Sequence, residues 1–149
     1  MKKVYACFCT DVIHEGHLNI IHEAKKYGRL VAGVLSDEAM IRYNRFPTIS
    51  FEERKQMLEK ISEVDEVVVQ NEVMYGTILE QLKPDYVIHG DNWLNDPMEV
   101  IRDNVIENLN KWGGKLIEVP YTYNENVKNI EAIVRERAAM PEFRRKRLR

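Results

Sequence analysis

The chain has 149 residues, 44% of them hydrophobic, and its 22 Lys and Arg against 24 Asp and Glu leave a formal net charge of -2. That length fits one domain with a proper core, and the balanced charge supplies no global basic field, so nucleic acid is not an expected partner. No apolar run approaches membrane-spanning length, no signal peptide is expected where Met1-Lys2-Lys3 enters a strand directly, and Cys7 and Cys9, two apart on one strand, are poorly placed to bridge each other. The expected setting is reduced and cytoplasmic, with no membrane partner.

Strand-like and helix-like segments alternate along the chain. Val4 to Cys9 is an apolar run that reads as a buried strand, and Ile20, Ile21, Ala24 and Tyr27 follow at the spacing of an amphipathic helix. Arg29 to Leu35 is a second apolar strand, and a short helix runs from about Asp37 to Tyr43. Ser50 caps a third helix, with Glu53 completing a capping box, and Met57, Leu58 and Ile61 form its apolar side. Glu66 to Val69 is a short valine-rich strand, and Tyr75 to Leu82 is a helix stopped by Pro84. Tyr86 to His89 is a fourth strand. Asp96-Pro97 opens a long helix, Glu99 can complete its capping box, and Trp112-Gly113-Gly114 ends it. Lys115 to Val119 is a fifth strand, and a last helix runs from Asn126 to about Ala139.

Strands alternating with crossover helices predict an α/β fold, a doubly wound, Rossmann-like parallel five-stranded sheet with helices on both faces. Residues 1–140 form this domain, and residues 141–149, from Pro141 through the basic run Phe143 to Arg149, read as a solvated tail or a linker to a further domain. In such sheets a ligand lies beyond the carboxyl ends of the strands, which puts His14, after the first strand, and Gly90-Asp91, after the fourth, beside one crevice.

The most informative stretch is Cys9-Thr10-Asp11-Val12-Ile13-His14-Glu15-Gly16-His17, where strand turns into helix. Unpaired backbone N–H groups and the positive end of a helix dipole gather there and suit a phosphate. Two imidazoles three residues apart project to the same side, and Gly16 between them would let a ligand approach the backbone. One histidine pair does not make a zinc site, and neither cysteine has metal spacing with it.

His14-Glu15-Gly16-His17 resembles the HxGH motif of the nucleotidyltransferase superfamily. Ser50-Phe51-Glu52-Glu53-Arg54-Lys55 followed by Val64-Asp65-Glu66-Val67 resembles the ERxxxL…VDEV pattern of its cytidylyltransferases, and His89-Gly90-Asp91-Asn92-Trp93 resembles their HGDDW-like segment beside the cytosine. These stretches make an adenylyltransferase the weaker reading. Asp11 to Ile21 is similar to the DLIHPGHLNII of phosphonate cytidylyltransferases, Lys83 to Asp91 to KPDYVVHGD, and Trp112 to Leu116 to WGGKL. Such domains stand alone or precede a phosphoenolpyruvate phosphomutase domain.

The resemblance implies transfer of CMP from CTP to 2-aminoethylphosphonate or 2-hydroxyethylphosphonate, with release of pyrophosphate. It implies His14, His17 and Arg45 as catalytic residues and Mg²⁺ as cofactor, with Asp11 the nearest carboxylate, or else only a turn residue. Cys9, Thr10, Gly16, Arg54, His89, Gly90, Asp91 and Trp93 would hold the nucleotide. Without the family, Arg54 reads as a surface helical arginine and Asp91 as a loop residue. A homodimer pairing near the VDEV segment is implied as well.

Three positions depart from the pattern. Asn44 replaces a lysine, leaving Arg45 or Arg42 to supply its charge. Tyr121 to Asn126 replaces an RxxGISST-like segment, and Phe8-Cys9 replaces a glycine–hydroxyl pair. The alternatives are a catalytically degenerate nucleotide-binding or dimerisation domain, or a cytidylyltransferase for glycerol-3-phosphate or phosphocholine.

Overall fold

The computed structural model describes residues 1–8, 12–42, 47–93, 99–122 and 124–138. Cys9, Thr10, Asp11, Asn44, Arg45, the Asp96-Pro97 helix start and the basic tail lie outside the described residues. Val4, Tyr5, Ala6 and Phe8 are buried in β1 (Lys3–Phe8), and every residue of β2 (Arg29–Leu35) after the first is buried. A strand covered on both faces has no polar side to present, so its sequence is a continuous apolar run rather than an alternation. Together with β3 (Glu66–Gln70), β4 (Tyr86–Gly90) and β5 (Lys115–Val119) these strands form one parallel sheet in the order β3-β2-β1-β4-β5. The predicted doubly wound fold is the observed one.

The pleat sends alternate residues to two separate cores. Val4, Ala6, Phe8 and Ile88 meet Ile21 and Ala24 of α1 (Glu15–Ala24) and Leu58 of α3 (Phe51–Glu59). Tyr5, Val31 and Val87 meet Ile78 and Leu79 of α4 (Gly76–Leu82) and Ile101, Val105 and Leu109 of α5 (Glu99–Asn110). The short α2 (Asp37–Arg42) follows β2, and α6 (Glu125–Ala138) closes the described chain. Gly33 marks the tightest crossing, because a Cβ there would run into the Tyr5 hydroxyl. That hydroxyl donates to Gln70 Oε1 at 2.6 Å, a buried polar pair between two strands.

Two segments agree with the sequence reading to the residue, Arg29–Leu35 and Lys115–Val119. Elsewhere the structure corrects it. α1 ends at Ala24, and Tyr27 lies in the following turn, where its ring still packs on Tyr86 at 5.2 Å. α4 ends one step before Pro84 through a left-handed Lys83 (φ 44). At the start of α3, Ser50 Oγ accepts from the Glu53 N–H at 3.3 Å. The Glu53 carboxylate accepts from the same hydroxyl rather than from the Ser50 backbone, so only half of the expected box forms.

Candidate active site

β1 and β4 are hydrogen-bonded neighbours, yet the chain leaves β1 toward β2 and β4 toward β5. Diverging connections open a crevice beyond the carboxyl ends of the two central strands. α1 begins at one shore of it and a single turn of 3₁₀ helix, Asp91–Trp93, at the other.

His14 is the N-cap of α1, with extended backbone (φ -119, ψ -178). Its Nδ1 accepts the Gly16 N–H at 3.0 Å, and its own N–H donates to His17 Nδ1 at 3.1 Å. Two imidazoles thus build the reciprocal capping box that a serine and a glutamate usually make. The bond roles set the tautomers: an Nδ1 that accepts carries no proton, so each ring proton sits on Nε2. The rings stack with centroids 3.8 Å apart, and the edge of His17 meets Phe8. Burial, joined by the neighbouring His14, pushes the His17 pKa down to about 3. Gly16 serves this packing, since a Cβ there would lie 2.8 Å from His14 Cε1. Its missing side chain is therefore filled by His14 rather than left open to a ligand.

Three bonds from the segment after β5 tie the shores together. Asp91 Oδ1 accepts from the Tyr121 N–H at 3.0 Å, Asn19 Nδ2 donates to Thr122 Oγ1 at 2.9 Å, and Asn124 Nδ2 donates to Glu15 Oε2 at 2.7 Å. Asn124 Oδ1 also accepts from the Val127 N–H, starting α6. From α6, Glu131 Oε1 reaches to 3.4 Å from His14 Nε2, and the His14 side chain is only 3% exposed.

On the β4 shore, His89 Nδ1–H donates to the Gly90 carbonyl at 2.7 Å. Its ring lies flat on Trp93, with 3.7 Å between centroids and 1° between planes. Burial lowers the His89 pKa, partly offset by the Gly90 carbonyl and the Glu118 carboxylate. Trp93 is fully buried, and its Nε1–H donates to Glu118 Oε2 at 2.9 Å. Arg102 grips the same carboxylate with two bonds, of 2.7 and 3.0 Å, and thereby holds its pKa below the ordinary value.

The structure gathers His14, Gly16 and His17 with Gly90 and Asp91 at the crevice mouth. It takes Trp93 into the core, where the indole touches His89. Arg54 is a correction. It is 2% exposed, not a surface arginine, and its guanidinium donates to the Leu35 and Ile49 carbonyls and to Asp37 Oδ1 at 2.6 Å. Asp37, Glu118, Thr122, Asn124 and Glu131 were not singled out from the sequence. Only Asn124 carried a local signal, an asparagine at a helix start.

A family model described as cytidylyltransferase-like matches residues 6–148. The chain belongs to that family. It is 30% identical over 104 residues to an FAD synthase of Ferroglobus placidus, covering 66% of this chain and 68% of the relative. It is 34% identical over 96 residues to an ethanolamine-phosphate cytidylyltransferase of Arabidopsis thaliana, covering 60% of this chain and only 23% of that longer protein. A lipopolysaccharide core biosynthesis protein from Thermoplasma volcanium shares the fold with a TM-score of 0.67 and 22% identity, over 84% of this chain and 99% of its own. No helix among the described residues is long and apolar enough to cross a membrane.

Proposed function

We propose that this domain transfers CMP from CTP to the phosphonate oxygen of 2-aminoethylphosphonate or 2-hydroxyethylphosphonate and releases pyrophosphate. The observation that carries the reading is the His14–His17 pair. Each imidazole has its Nδ1 committed to a backbone N–H, so both offer Nε2–H donors at the start of α1. A phosphonate oxygen is already anionic at neutral pH, so the reaction needs no strong base. One bond forms from that oxygen to the α-phosphorus as the bond to the bridging oxygen of pyrophosphate breaks. Charge gathers on the α-phosphate and the leaving group, and fixed donors aimed at it are worth about 10²–10³ in rate each.

In this reading Arg45 supplies the charge of the absent lysine, and Cys9, Thr10 and Asp91 border the nucleotide. Trp93 supports His89 from below. With its Nδ1 donating, His89 keeps an acceptor Nε2, the polarity suited to an exocyclic amino group. Among the described residues no three His, Cys, Asp or Glu side chains are grouped to hold a metal. Mg²⁺ takes most of its ligands from phosphates and water, so Asp11 with the triphosphate would suffice. When bound, the ion neutralises triphosphate charge.

Cytosine and adenine both carry that amino group, and one relative makes an adenine dinucleotide. Adenylyl transfer is therefore the second reading. The acceptor choice draws support from the ethanolamine-phosphate relative, because 2-aminoethylphosphonate is ethanolamine phosphate without its ester oxygen. A homodimer beside Val64 to Val67, a cytoplasmic setting and a phosphomutase domain beyond the tail belong to the same proposal.

Phosphorus NMR of the protein with Mg²⁺, CTP or ATP, and the two phosphonates, ethanolamine phosphate, phosphocholine or glycerol-3-phosphate tests it. A new mixed diphosphate signal with pyrophosphate, from CTP and a phosphonate, is the expected result. Product from ATP alone supports the second reading. Folded protein that makes no product from any pair refutes both and points to the degenerate domain.

A further inference from the structure

Glu131 presents a carboxylate to the donor that the proposed chemistry assigns to phosphate. His14 has one N–H left, on Nε2, and Glu131 Oε1 lies 3.4 Å from that atom while the ring is 3% exposed. A carboxylate and a phosphate oxygen make the same demand on an N–H donor, so the two compete for one place. The helix carrying Glu131 is seated mainly by its first turn, where Val127 is 1% exposed and Asn124 caps it. Further along, Ile130 and Val134 are half-buried while Ile133 is 57% exposed, and among the described residues the other Glu131 oxygen pairs with the exposed Arg135, at 3.4 Å. The Glu131 side chain is itself 31% exposed, which leaves solvent for its carboxylate to turn into.

We infer that Glu131 is an internal competitor for the phosphate position at His14, so that the nucleotide must displace it to bind. This rests on the nucleotidyl-transfer reading above. Releasing the carboxylate lowers the apparent affinity of the triphosphate by the share of molecules in which His14 is covered. The site is thereby kept from weak anions and yields to a polyphosphate, which meets both imidazoles and the helix start together.

Calorimetric titration of pyrophosphate, and separately of CTP or ATP with Mg²⁺, into wild type, Glu131→Gln and Glu136→Gln, with kcat measured on the same proteins, tests the inference. Glu136 is exposed on the same helix, so its variant makes the same charge change away from His14. Glu131→Gln should tighten both ligands by about three- to tenfold, the scale of a weak, partly exposed contact between a carboxylate and a neutral imidazole together with relief of like-charge repulsion against the phosphate. Glu136→Gln should shift them less than about twofold. Unchanged or weaker binding in Glu131→Gln overturns the inference alone, as does equal tightening in both variants. A fall in kcat with unchanged affinity also overturns it, since Glu131 would then be orienting His14. Folded wild type and Glu131→Gln that bind neither pyrophosphate, CTP nor ATP defeat the inference together with the reading beneath it.

Discussion

His17→Gln isolates a proton that the folded protein refuses. In the native state burial and the adjacent His14 hold the His17 pKa at about 3, against 6.5 in an exposed chain. Below pH 6.5 the unfolded chain takes up a proton that the native state does not, so stability falls as pH drops from 6.5 toward 3 and is fully present above 6.5. Between pH 7 and pH 5 this linkage amounts to about 2 kcal/mol. Glutamine at the third position of the helix can still reach back to the His14 N–H, as in an ordinary capping box, so α1 is kept. Urea unfolding at the two pH values reads the difference directly. Wild type should lose about 2 kcal/mol more than His17→Gln on going to pH 5. A difference under about 0.5 kcal/mol would mean that His17 protonates freely in the native state, and the tautomer assignment would fall with it.

His14→Asn separates capping from chemistry. Asparagine is among the best N-caps, so the cap is kept and the loss of the buried, stacked ring should cost only about 1–2 kcal/mol, while turnover drops about 10²-fold or more. A large loss of stability with turnover retained would reverse those roles. Glu118→Ala leaves the fully buried Trp93 N–H without its acceptor and should cost about 1–3 kcal/mol in denaturant titration, whereas a neutral result would show that the indole finds another partner. Gly33→Ala forces a methyl group into the Tyr5 hydroxyl, and a loss of about 1–3 kcal/mol or more should appear as a lower Tm. An unchanged Tm would place the Tyr5–Gln70 pair elsewhere.

Central strands, crossover helices and the histidine turn could be read from the sequence because each leaves a local trace. Apolar runs mark strands covered on both faces, and a motif marks the point where strand meets helix. Arg54 left no such trace. A charged residue in a polar helix reads as solvated unless the carbonyl ends of β2 and the turn before α3 are already known to converge on it. Trp93 misleads for a related reason, since a tight turn folds its ring beneath the site that its neighbours line. Asn124 meets Glu15 across 109 residues, and Glu131 meets His14 across a comparable stretch. No periodicity or spacing encodes such meetings, which depend on where the last strand delivers the chain.

The segment after β5 also sets when the crevice comes into being. β1 leaves the ribosome first but waits for Tyr86 and Val87 to pair along its second edge, and the ties to Asp91, Asn19 and Glu15 wait longer still, for Tyr121, Thr122 and Asn124. Pairings this distant form late, after the entropy of closing long loops has been met. The histidine turn is therefore synthesised well before the strands and the segment that complete it. If the proposed reading holds, nucleotide binding that draws on both shores reports a chain whose crevice is assembled, and a nascent domain still short of its fifth strand lacks the ties that complete it.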